Sequence, residues 1–304
     1  MLKWYNDSNK TGAIRLLYEE AIEVGTVYRI AHYFYFVCRW ALFYFCEEKH
    51  MTQHSRIKCA ALLDRVMSAE QAAELIPSGV NVGMSGFTGS GYPKDVPVAL
   101  ANRIKAEHAK GNPFKISVWT GASTAPELDG ALAEADGISM RLPYQSDPIA
   151  RRKINTGEME YMDIHLSHVA QHAWFGFYGK LDIAVIEVAG IHEDGTLIPA
   201  ASVGNNKTWI DRADKVIVEV NYALSEKLEG MHDIYYGTEL PPHRKPIMMT
   251  RPDERIGVPY FRCPQEKIIA IVETNGQDRV NKFTEPDAAS KKIAEHIINF
   301  LKQE

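Results

Sequence analysis

The chain is poor in the residues that mark metal, redox and membrane proteins. Its 304 residues hold four cysteines, Cys38, Cys46, Cys59 and Cys263, with neither the C-x-x-C spacing nor the close histidine pairing of a zinc or dithiol site. Thiols so sparse fit a reducing, cytoplasmic compartment. Positive charge is not in excess either: 34 Lys and Arg against 39 Asp and Glu give a net charge of −5. No basic field is there to attract nucleic acid, and the Arg151-Arg152-Lys153 triplet reads as a solvated helix face. Also missing is a run of about 18 apolar residues, which a membrane-spanning helix requires. Residues 27–46 are dense in Tyr, Phe and Trp, but Arg29, His32 and Arg39 interrupt them. Glu19 and Glu20 precede that stretch and no small-residue cleavage pattern follows it, which argues against a signal peptide. His165, His168 and His172 share one face of a helix, yet lack a neighbouring carboxylate and a second ligand segment. They are expected to be ordinary surface or core histidines, and no metal is expected.

What is present is a glycine-rich loop. Ser85-Gly86-Phe87-Thr88-Gly89-Ser90-Gly91-Tyr92-Pro93-Lys94 follows an apolar strand and precedes a helix. Glycine accepts positive φ and has no Cβ, so such a loop can bring backbone N–H groups against a ligand oxygen. Pro93 suits a first helical turn. A second turn, Thr120-Gly121-Ala122-Ser123-Thr124, precedes Pro126, and a third, Ser202-Val203-Gly204-Asn205-Asn206, precedes the helix-like run 209–213. Three polar turns at helix entries suggest one shared rim.

A hydrophobic content of 45% builds a substantial core, and the length fits one large α/β domain or two small ones. Ser68 and Gln71 form a capping-box pair ahead of Ala72, Ala73, Leu75 and Ile76, and Pro77-Ser78-Gly79 stops that helix. Strands are expected at 80–84, 115–119, 138–142, 182–189, 215–220 and 267–272. Helices are expected at about 94–110, 125–135 and 287–301, with a hairpin turn at 193–196 returning as 197–200. Ile293, Ile297, Ile298 and Leu301 form an apolar stripe expected to face the core. The alternation predicts an α/β fold, an open, mostly parallel sheet with helices on both faces. In such sheets ligands bind beyond the carboxyl ends of the strands, where the three turns fall.

Residues 1–50 differ in character from the rest. They read either as an amphipathic aromatic helix that docks on a partner or as translated upstream sequence joined to a protein that starts at Met51.

With these motifs assembled, the sequence resembles the acetyl-CoA hydrolase/transferase family. The likeness is carried by Ser85 to Lys94, by Trp119-Thr120-Gly121-Ala122-Ser123-Thr124, and by Lys153-Ile154-Asn155-Thr156-Gly157. Asp163-Ile164-His165-Leu166-Ser167, Ser202-Val203-Gly204-Asn205 and Val272-Glu273-Thr274-Asn275 complete it. These motifs run in the family's order from about Met51 to the end, which favours the second reading of residues 1–50.

The resemblance implies two similar α/β domains facing each other across the active site, of which 51–304 match the N-terminal one. The nucleophilic glutamate is then expected in the second domain, with no catalytic residue in this chain, which alone is expected to be inactive. Glu273 is read as a strand-end residue, not that nucleophile. Coenzyme A is implied as a substrate, with no permanently bound cofactor. Partners implied are acyl-CoA, a short-chain carboxylate and the C-terminal domain, in a homodimer when complete. Gly86, Phe87, Thr88, Gly89, Gly91, Ser123 and Thr124 would line the acyl and carboxylate pocket. Asn205 would donate through its amide, and Arg279 would pair with CoA phosphates or a carboxylate; the alternatives are a helix cap for Asn205 and a surface ion pair for Arg279. Two functional alternatives stay open: an acyl-CoA hydrolase, in which water replaces the acceptor acid, and a non-catalytic module that binds CoA or carboxylate without turnover. A nicotinamide-binding enzyme is disfavoured, because the first loop lacks G-x-G-x-x-G spacing.

Overall fold

The computed structural model describes residues 54–304, apart from 85, 237–238, 240–241, 280–282 and 304. Both readings of residues 1–50 lie outside the described residues.

Short runs of Val and Ile form strands because branched side chains pack well on a pleated, buried surface. Seven of them lie in the order β4-β3-β2-β1-β5-β7-β8. Here β1 is Asn81–Met84, β2 Ile116–Trp119, β3 Ile138–Leu142 and β4 Glu160–Tyr161; β5 is Leu181–Ile191, β7 Ala213–Asn221 and β8 Ile268–Thr274. All pair in parallel. Strand β6 (Leu197–Pro199) returns from the 193–196 turn and pairs antiparallel with β5.

Successive residues of the central strands enter two separate apolar clusters. Ile183 and Val185 of β5 join the cluster beneath helices α1 (Ala69–Glu74), α2 (Asp95–Ala109) and α4 (Pro148–Asn155). The short α3 (Ala131–Glu134), which continues a π-turn opened by Pro126, belongs to the same face. Ala184, Ile186 and Val188 join the other cluster, which contains Val169 and Ala173 of α5 (Leu166–Phe175) and Trp209 and Ile210 of α6 (Asn206–Arg212). A sheet covered on both faces needs apolar residues at successive positions, and this explains why its strands read as unbroken hydrophobic runs.

The Ser68–Gln71 capping box forms at the start of α1 as the spacing predicts. Two expectations need correction. Pro93 does not open α2: Lys94 is the N-cap, so Pro93 lies one residue outside the helix. The stripe on α7 (Ala288–Leu301) does not face the core of this chain. No residue of α7 is buried, and Ile293, Ile297, Ile298, Phe300 and Leu301 are between 50% and 66% exposed. Periodicity marks an apolar face but carries no information about what covers it.

Candidate functional site

From β1 the chain builds outward through β2, β3 and β4 on one side, and β5, β7 and β8 occupy the other. The reversal lies between β1 and β5, and a crevice opens at such a point beyond the carboxyl ends of the strands. The glycine loop leaves β1 there. Phe87 N donates to Ser90 O at 2.9 Å and Ser90 N donates back to Phe87 O at 3.1 Å. Thr88 (φ 48°) and Gly89 (φ 84°) occupy the two central positions, the positive-φ pattern of a tight two-residue turn. A β-branched residue at positive φ is unusual; the Thr88 N–H is held by Ser123 O at 2.9 Å.

The three polar turns converge around Gly86. A Cβ built at Gly204 would lie 3.3 Å from the Gly86 carbonyl oxygen, and one at Gly121 would lie 3.4 Å from the same atom and 3.3 Å from Asn205 N. Ser202 Oγ donates to Ser90 O at 2.8 Å. A side chain at Gly89 would strike Arg279 O at 2.6 Å, and one at Gly91 would strike Ser202 N at 2.7 Å. Gly89 and Gly91 are therefore required by the close packing of loop on loop, Gly121 and Gly204 allow the turns to pack tightly, and that packing builds the rim.

Each residue singled out in the sequence has a definite place on this rim. Phe87 is half-exposed at the turn. Ser123 is fully buried, and its hydroxyl is fully used: it donates to Gln145 Oε1 at 3.1 Å, takes the Ser146 N–H at 3.0 Å and lies 2.6 Å from Ser146 Oγ. Thr124 sets its methyl toward Gly86, and its buried Oγ1 has no partner among the described residues. Its N–H donates to Asp129 Oδ2 at 2.7 Å, and Asp129 is gripped by Arg141 at 2.9 Å, both charges fully buried. This pair anchors the second turn. Asn205 occupies the N-cap of α6 but makes no capping hydrogen bond, and its Nδ2 has no partner among the described residues. Arg279 donates its backbone N–H to Gly89 O at 2.9 Å, while its guanidinium, 64% exposed, pairs with Glu127 at 2.5 Å.

Two features carry no signal that separates them from ordinary residues in the sequence. The first is a buried charge cluster at the reversal. Lys94 Nζ lies 2.5 Å from Glu187 Oε1 of β5 and 3.0 Å from Asp278 Oδ1, and donates to Tyr92 O at 2.9 Å. Asp278 in turn accepts the Gly91 N–H at 3.1 Å, so Lys94 ties the glycine loop to the segment carrying Arg279. Glu219 of β7, in register with Glu187, accepts the backbone N–H groups of Lys94, Asp95 and Val96. It supplies from another strand the cap that the Lys94 side chain cannot give. Burial pushes the Glu187 carboxyl up to about 8 despite the opposing charge of Lys94, and pushes Glu219 up to about 7 despite its three N–H donors. The second feature is Gln145, on the turn after β3, whose Oε1 receives the Ser123 hydroxyl.

Among the described residues no group of His, Cys, Asp and Glu is arranged to hold a metal ion. His165 meets His168 edge-on with ring centroids 5.6 Å apart, and His168 stacks on His172 at 5.7 Å. No helix among the described residues is long and apolar enough to cross a membrane. Cys59 and Cys263 are buried free thiols.

Residues 51–273 match the acetyl-CoA hydrolase/transferase N-terminal domain. The chain belongs to the acetyl-CoA hydrolase/transferase family. Its similarity to succinyl-CoA:acetate CoA-transferase of Clostridium kluyveri is 44% identity over 249 residues, covering 82% of this chain and 46% of the relative. Propanoyl-CoA:succinate CoA transferase of Escherichia coli is 38% identical over 238 residues, covering 78% of this chain and 48% of the relative. Acetyl-CoA hydrolase of Saccharomyces cerevisiae is 37% identical over 256 residues, with coverages of 82% and 48%. The chain thus spans about half the length of these family members. RipA from Yersinia pestis shares the fold, with a TM-score of 0.52 at 16% identity over 77% of this chain and 48% of that one.

Proposed function

We propose that this chain forms the N-terminal half of an acyl-CoA:carboxylate CoA-transferase of short-chain acids such as acetate, succinate or propionate. The nucleophile is a glutamate of a second α/β domain, and coenzyme A enters and leaves as a substrate. The observation that carries this reading is the convergence of three glycine turns at the reversal between β1 and β5, with the Thr124 and Asn205 polar groups left unpaired there. Relatives named as CoA-transferases match this region over four-fifths of the chain.

In the proposed reaction a carboxylate attacks the acyl-CoA thioester, giving a mixed anhydride and a thiolate. The thiolate attacks the anhydride at the glutamyl carbonyl, leaving a glutamyl-CoA thioester and releasing the first acid. An incoming acid reverses both steps. Each step passes through a tetrahedral oxyanion, and uncharged N–H and O–H donors held rigidly are suited to stabilise it. In this scheme loop 86–91 and the Thr124 turn form the wall opposite the glutamate. The exposed apolar stripe of α7 is the surface this reading gives to the second domain, because five large apolar side chains on one helix favour burial.

The test is acyl exchange between labelled acetate and succinyl-CoA. The chain alone is expected to give none, and addition of the second domain as a separate polypeptide is expected to restore it. Binding that persists without turnover in the mixture would replace this reading with the non-catalytic module. Robust exchange by the chain alone, abolished by Glu273→Gln, would overturn the proposal. A second reading, acyl-CoA hydrolysis, is favoured by the relatives named as acetyl-CoA hydrolases; acceptor-independent loss of acetyl-CoA in the same mixture would establish it.

A further inference from the structure

Gln145 follows β3 and lies against Ser123 at the head of β2. Its Oε1 accepts the Asp147 backbone N–H at 2.7 Å as well as the Ser123 hydroxyl at 3.1 Å. A backbone N–H can only donate, so this contact fixes which end of the amide is oxygen. The NH₂ end therefore points away from Asp147. It has no hydrogen-bond partner among the described residues, although Gln145 is only 4% exposed.

Buried amide donors are seldom left unpaired, because the desolvation cost is then uncompensated. The neighbouring turns carry Thr124 Oγ1 and Asn205 Nδ2 in the same condition. Gln145 and Asn205 contribute only N–H at these atoms, and the Thr124 hydroxyl can also donate. Such a set suits an oxygen acceptor. The nearby charges are committed elsewhere: Lys94 to Glu187 and Asp278, Arg141 to Asp129, and Arg279 to Glu127. Uncharged donors fit the oxygen of a short acyl group better than a phosphate, which calls for cationic partners. The flanking residues Tyr144 and Ser146 are exposed, so the amide lies one layer beneath the rim.

We propose that Gln145 is a substrate-binding residue whose Nε2 donates to the acyl or carboxylate oxygen, and that Ser123 is the residue positioning it. Ser123 has no free hydrogen-bonding capacity of its own, since its proton goes to Gln145 Oε1 and its lone pairs face Ser146. The sequence motif places a serine where a ligand contact is expected; the structure transfers that contact to the glutamine the serine holds. The inference rests on the proposed CoA-transferase reading of the rim.

The experiment is a titration of the full ¹⁵N-labelled 304-residue chain with sodium acetate and, separately, with acetyl-CoA, following the side-chain amide signals of Gln145 and Asn205 and the backbone signal of Thr124. The Gln145 amide pair, assigned by its loss in Gln145→Met, is expected to shift with at least one probe. Acetate alone shifting it marks the site as the free acid's, and acetyl-CoA alone marks it as the thioester's. Gln145→Glu retains an oxygen for Asp147 and Ser123 and removes the donor. It is expected to weaken binding by about tenfold or more, the scale of one lost hydrogen bond to a bound group. Ser123→Ala is expected to weaken it too, with the Gln145 signals broadened or displaced before ligand is added. Shifts at Thr124 and Asn205 without one at Gln145 would overturn the inference and leave the CoA-transferase reading standing. No shift at any of the three with either probe would overturn both.

Discussion

Lys94 Nζ and Glu187 Oε1 lie 2.5 Å apart, with both side chains buried, at the point where the sheet reverses direction. Lys94 Nζ also lies 3.0 Å from Asp278 Oδ1, so removing its ammonium leaves two acidic side chains at the loop without their buried cationic donor. Lys94→Met is therefore expected to destabilise the chain by about 3–5 kcal/mol, read as a lower midpoint in urea. Combining it with Glu187→Leu should recover part of that loss. An unchanged midpoint for Lys94→Met would show that the pair does not anchor the loop.

The same cluster sets a pH dependence. Glu187 and Glu219 titrate near 8 and 7 in the folded chain, above the value of about 4.3 for an unfolded glutamate. Between those limits the folded state binds more protons, so this contribution to stability is full below the unfolded value, declines as pH rises and is gone above about 8. Lys94 lies against Glu187 and Asp278 against Lys94, and Asp95 lies beside Glu219, so these are the charged groups that face the pair. Stability is expected to fall from about pH 5 to about pH 8, and Glu187→Gln to flatten that slope. A wild-type stability that rises over this interval would contradict the assignment.

Two glycines at nearly the same φ separate packing from backbone freedom. A Cβ added at Gly89 (φ +84°) would lie 2.6 Å from Arg279 O, whereas one at Gly111 (φ +83°) would have nothing within 4 Å. Gly111→Ala should cost only the left-handed penalty of about 1–2 kcal/mol. Gly89→Ala should add the displacement of the 278–279 segment, for a total of about 2–5 kcal/mol. Calorimetric melts of both variants measure the difference; equal losses would mean that the loop does not depend on that contact.

The α7 stripe gives a prediction in which stability and association separate. Ile297→Asp with Leu301→Asp changes only exposed positions, so the melting of this chain should move by no more than about 0.5 kcal/mol equivalent per site. Association with a separately produced second domain should be lost in gel filtration. Undiminished association would assign the docking surface elsewhere.

The sequence by itself determined most of the elements, though not β4, α4 or α5, together with the parallel α/β class and the positions of the three turns. These depend on local chemistry: β-branched runs between breakers, the Ser68–Gln71 box, and glycines where φ is positive. It also placed Thr124 and Asn205 on the rim, because the helix-entry turns that carry them are visible as motifs. Tertiary structure alone decided which polar groups on that rim are already paired. Ser123 is consumed by Gln145 and Ser146, from the turn after β3, and Arg279 is held by Glu127, 152 residues away in the chain. It also decided that Lys94 of the glycine motif meets Glu187, 93 residues away, and that the α7 stripe faces solvent. Hydrogen-bond partners and buried faces depend on which strands become neighbours, and strand order is a long-range property that no local spacing encodes.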